Sequence, residues 1–175
     1  YRNKYIDCNP LENVKILVKF KQVSRKPANQ LTFNTEEKIS LEQFLDVKYQ
    51  ETEDLSYLAV KVNLYLGLRV GELVALKWAD ISDNELHVVR EEVRNQETGI
   101  YSVVEHTKTH TDRFVFIVPK AQKLLALISK ESDYIFTRNC NRLTSRQISY
   151  VLEKYANDNG LKVKSTHKIR RTYAS

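Results

Sequence analysis

The period of the hydrophobic pattern changes twice along this chain, and that constrains the fold more than any other feature. Up to Lys77 apolar residues recur at helical spacing, between Glu85 and Val118 they alternate, and after Pro119 helical spacing returns. A strand-period segment set between helix-period segments predicts an α+β fold, mainly α: a helical domain with a small three-stranded antiparallel sheet. The first helix is expected over about Thr35 to Lys48, with Asn34 or Thr35 as its cap, Glu36 and Glu37 in its first turn, and Ile39, Phe44 and Leu45 as candidate buried residues. A second spans roughly Asp54 to Gly67, with Leu58, Val62, Tyr65 and Leu66 at helical spacing, and a third about Val70 to Lys77. The expected strands are 85–94, 99–106 and 113–118, joined by a loop ending at Gly99 and by a polar turn from His106 to Asp112. Helices are expected again at 120–129, at about 145–159 before an Asn159-Gly160 stop, and from about Thr166. Residues 1–34 show weak periodicity, with 14–20 as a candidate short strand, and read as a connector or the remnant of an N-terminal domain; 35–175 form the main domain.

Charge narrows the partner. The chain carries +6 overall, yet from Arg138 to Ser175 nine Lys and Arg face only two acids, Glu153 and Asp158. A basic third of this kind is the footprint of a nucleic-acid binder, or of a solvated basic face. Arg138, Arg142, Arg146, Lys164, Lys168 and Arg171 are the candidate DNA-binding residues. No apolar run reaches membrane-spanning length, no signal peptide opens the chain, and two cysteines without a CxxC or Cys/His cluster point to a reduced cytoplasmic setting with no metal. The absence of any methionine suggests part of a longer protein.

Three stretches carry candidate chemistry. In Gly67-Leu-Arg-Val-Gly-Glu-Leu73, Arg69 stands where one helix ends and the next begins, with Glu72 one turn on. An arginine held by a carboxylate beside glycines suits phosphate recognition; alone, the pair reads equally as a helix-capping salt bridge. Lys108 sits on a polar hairpin tip, from which a lysine can reach a phosphate or simply stay solvated. His167 and Arg170 are spaced i,i+3 at an expected helix N-terminus, where backbone N–H groups already favour an anion.

The order of these stretches resembles the tyrosine recombinase (phage integrase) family. Gly-Leu-Arg-Val-Gly-Glu-Leu followed by Leu-Lys-Trp-Ala-Asp-Ile is similar to its first signature box. The Lys108-Thr109 tip before Arg113-Phe-Val-Phe-Ile-Val resembles its β-hairpin, and His167-Lys-Ile-Arg-Arg-Thr-Tyr-Ala174 its His-x-x-Arg box. The resemblance covers about Thr35 to Ser175 and implies roles. Arg69 and Arg170 would clamp the scissile phosphate, Lys108 would protonate the departing 5′-hydroxyl, and His167 would assist, with Glu72 supporting. It also implies double-stranded DNA as substrate, a homo-tetramer on DNA, and no metal or nucleotide cofactor. The nucleophilic tyrosine is expected beyond Ser175; Tyr173 falls where the family has a packed aromatic. Integration or excision of a phage or other mobile element is the leading expectation. A chromosomal resolvase or invertase, a type IB topoisomerase and a catalytically silent DNA-binding protein are the alternatives.

Overall fold

The computed structural model describes residues 32–109 and 111–174; the connector, with the candidate strand at 14–20, lies outside the described residues apart from its last three positions. Six α-helices are present among the described residues: α1 (Thr35–Thr52), α2 (Leu55–Leu66), α3 (Val70–Val74), α4 (Pro119–Leu125), α5 (Ser145–Asp158) and α6 (Thr166–Tyr173). None is long and apolar enough to cross a membrane. Helix α2 is buried nearly all round, and α1, α4, α5 and α6 pack on it. A helix apolar on every side has no solvent face and must sit at the centre. Leu58, Val62 and Leu66 of α2 join Leu41 and Leu45 of α1, Ile148 and Leu152 of α5 and Ile169 of α6 in one core.

Helix starts follow local chemistry. Asn34 caps α1, its side chain accepting the Glu37 N–H while the Glu37 carboxylate accepts the Asn34 N–H, each at 2.8 Å. Asp54 caps α2 by accepting the Ser56 N–H. Two departures from the sequence pattern have clear causes. Ile39 is exposed, because Leu41 and Leu45, four apart, take the inward stripe and leave Ile39 turned away from it. Helix α3 ends at Val74 rather than Lys77, because the chain turns to bond with the 133–135 segment: Ile135 N–H donates to the Leu76 carbonyl and Trp78 N–H to that of Asp133.

The sheet is three-stranded and antiparallel, but its members differ from the expected ones. The run 85–94 splits into β2 (Glu85–Val88) and β3 (Glu91–Arg94). The break holds Arg90, whose side chain turns in to pair with Asp80 and Glu105. Strand β2 pairs with β1 (Ile81–Ser82) and β5 (Arg113–Phe116), giving the order β1-β2-β5. Strand β3 forms a separate two-stranded ribbon with β4 (Tyr101–Val104). A further small hairpin, β6 (Thr137–Arg138) and β7 (Asn141–Arg142), precedes α5.

Candidate active site

The turn between α2 and α3 is the foundation of the site. Gly67 ends α2 in the left-handed region, at φ +62°. The buried side chain of Asn63 spans this turn, accepting the Leu68 N–H at 2.8 Å and donating to the Leu68 carbonyl at 3.2 Å. Arg69 follows at once as the N-cap of α3. Gly71 lets α3 lie on β3, since a Cβ there would stand 2.7 Å from the Glu92 carbonyl oxygen.

Glu72, one turn into α3, is fully buried and accepts four hydrogen bonds. Oε2 takes the Arg69 backbone N–H at 2.9 Å and Arg113 Nη2 at 2.7 Å. Oε1 takes Arg69 Nη1 at 2.8 Å and Arg113 Nη1 at 2.9 Å. Burial pushes the Glu72 pKa up, but the hydrogen bonds of Arg113 and then Arg69 outweigh it and hold the carboxyl below the usual range. Arg113 opens β5 on the inward-facing alternation shared with Val115 and Ile117.

Helix α6 brings the second sequence-predicted arginine to this cluster. Arg170 Nη1 donates to the Gly67 carbonyl at 2.7 Å. Burial, then the charges of Arg69 and Arg113, draw the Arg170 pKa down, with Glu72 opposing. Three guanidinium groups therefore face one carboxylate, leaving a local excess of two positive charges. Arg113, Arg170, Gly67 and Tyr173 line one cleft. The Tyr173 ring lies against Gly67, where a Cβ would fall 2.2 Å from its Cδ1. Gly67→Ala is therefore expected to lower stability by about 2 kcal/mol or more, combining left-handed strain with displacement of the ring. Urea unfolding of the variant checks this; a loss below about 0.5 kcal/mol would show that the turn relaxes freely.

His167 and Lys108 are exposed. His167 lies one turn before Arg170 on α6. Lys108 stands on the β4–β5 loop, which is closed by Thr107: this buried hydroxyl donates to the Thr111 carbonyl at 2.7 Å. The loop runs out through Asp112, 2.6 Å from His87 Nε2, into Arg113 on Glu72. Arg69 thus meets Glu72 directly and Arg170 joins them through the Gly67 carbonyl, while Lys108 is tied to this group only by the loop that leads to Arg113.

The six candidate DNA-binding cations divide. Arg138 pairs with Asp54, Arg142 with Glu92, Arg146 with Glu153 and Lys164 with Glu37. The Arg142 and Lys164 side chains are largely buried. Lys168 is half-buried and Arg171 exposed, both on α6. Sequence reasoning missed Arg113 and Asn63. Arg113 had a readable signal, a cation on the inward side of a strand, which requires a buried partner. Asn63 had none, as an isolated polar residue in an apolar helix.

The profile of the phage integrase family matches residues 30–175. The chain belongs to that family. No curated protein matches it by sequence. Among solved structures, the Tn1549 transposon integrase (residues 82–397) in complex with circular intermediate DNA aligns with a TM-score of 0.67 at 18% identity, over 85% of this chain and 53% of that one. XerA recombinase aligns at 0.59 with 21% identity, over 90% and 51%. A λ integrase dimer bound to a COC′ core site aligns at 0.54 with 19% identity, over 82% and 39%. The chain spans about half the length of these structures or less, and at such identities the likeness concerns the fold.

Proposed function

We propose that this chain is the catalytic domain of a recombinase that integrates or excises a mobile element by cutting and rejoining duplex DNA. The observation that carries the reading is the pairing of Arg69 and Arg113 on the buried carboxylate of Glu72, with Arg170 held nearby on the Gly67 carbonyl, which leaves excess positive charge beside a cleft. Arg113 and Arg170 line that cleft, and excess positive charge there suits an anion that is bound only transiently. Arg69 and Arg170 contact the non-bridging oxygens of the scissile phosphate and stabilise the charge that grows as phosphorus becomes pentacoordinate. A tyrosine hydroxyl attacks phosphorus, the bond to the 5′-oxygen breaks, and the 3′-phosphate stays on the protein as a phosphotyrosyl ester. Lys108 gives its proton to the leaving 5′-oxygen, and His167 assists, by taking the proton that the tyrosine hydroxyl releases or by holding the phosphate while water takes it. We assign the attack to a tyrosine other than Tyr173, whose ring packs on Gly67. The free 5′-hydroxyl of a second strand reverses the reaction and joins the new strand. The DNA held by the Tn1549 and λ integrase structures supports duplex DNA as substrate, and the λ integrase tetramer on a Holliday junction supports a tetramer. The reaction takes place on DNA in the cytoplasm.

The test uses the protein as encoded, with a nicked suicide duplex carrying its recombination site. A covalent protein–DNA adduct, resistant to denaturant and removed by protease, is expected. Affinity should fall linearly on a log–log plot against salt, with a slope of about −0.9 per phosphate neutralised. Salt-dependent binding without adduct would mark a silent DNA-binding protein. Flat affinity would remove DNA as the partner.

A further inference from the structure

We propose that Arg113 is a positioning residue of the phosphate site, occupying Glu72 so that the charge of Arg69 remains available to the substrate. This rests on reading the cluster as the site of phosphoryl transfer. An ionised carboxylate offers about four lone-pair positions, and in Glu72 all four are filled, two by Arg69 and two by Arg113. Arg113 takes its pair in a fork, one nitrogen on each oxygen. Arg69 spends only one guanidinium nitrogen on Glu72, its other bond coming from the backbone, and its side chain keeps a third of its surface open.

Without Arg113 the balance changes in a defined way. Arg69 would be the one hydrogen-bonded cation left to the Glu72 carboxylate, and the two vacated lone pairs would draw Arg69 into the fork. The excess charge of the cluster would fall from two to one. Arg113 therefore acts on phosphate through Glu72 and Arg69, by charge and by competition for acceptors. It also opens β5 immediately after the Lys108 loop, so the same side chain anchors that loop to α3.

The experiment compares Arg113→Gln with the wild type in the protein as encoded. Covalent-adduct rates are measured on a suicide duplex bearing either the ordinary scissile phosphodiester or a methylphosphonate, whose methyl group removes one negative charge. On the phosphodiester, Arg113→Gln is expected to slow cleavage on the order of 10²-fold, as when a catalytic group is misplaced, with duplex affinity nearly unchanged. On the methylphosphonate the penalty should shrink at least tenfold, because less charge needs stabilising. A purely structural role would give equal penalties on both substrates, and that result, or an unchanged rate on the phosphodiester, overturns the proposal. Should Arg113→Gln fail to fold, Arg113→Lys is measured in its place: it keeps the cation and loses the fork, so an intermediate, substrate-dependent loss supports the proposal and a wild-type rate overturns it. Absence of any adduct from the wild type would overturn the catalytic reading itself, and this inference with it.

Discussion

Glu72→Ala is expected to remove about 3–5 kcal/mol of folding stability, the usual cost of deleting one partner from a buried charge set. The carboxylate is fully buried, and its loss leaves Arg69 and Arg113 without a counter-charge next to Arg170. The effect should depend on pH. Because the Glu72 pKa is depressed in the folded state, its ionisation stabilises the protein above the ordinary carboxylate range, and that contribution disappears as pH falls through the lower folded-state pKa. The gap between wild type and variant should therefore be widest near neutrality and narrow in acid. Urea unfolding at neutral and acidic pH measures it, and a gap under 1 kcal/mol at neutrality would mean that water compensates the arginines.

Arg170→Ala should damage chemistry far more than binding. A preorganised donor that meets charge developing in the transition state is worth on the order of 10²–10³ in rate. One phosphate contact among many changes the salt slope by only about one unit. Adduct formation on a suicide duplex should thus nearly vanish while duplex affinity stays close to normal. Intact adduct formation would show that Arg170 serves only to tie α6 to the Gly67 carbonyl.

What the sequence revealed and what it hid follow one physical division. Features set within one turn of chain were legible: the Asn34 cap, the Gly67 stop, and the Arg69–Glu72 pair three residues apart. Features set by partners far along the chain were not. Arg113 finds Glu72 41 residues away. The basic third looked like a row of unopposed cations because its acids lie elsewhere, Asp54 84 residues from Arg138, Glu92 50 from Arg142 and Glu37 127 from Lys164. Strand membership was misread for the same reason, since alternation marks an exposed and a buried face but does not say which strand lies beside which.

The Arg170–Gly67 bond joins positions 103 residues apart, and the Phe33 N–H bond to Thr172 Oγ1 joins positions 139 apart. Helix α6 holds these long closures with a single fully buried residue, Ile169. Arg170 and His167 share this one helix, a single turn apart, so whatever fixes α6 against the Gly67 turn and Phe33 sets both side chains at once, while Arg69, Arg113 and Glu72 hold one another without it.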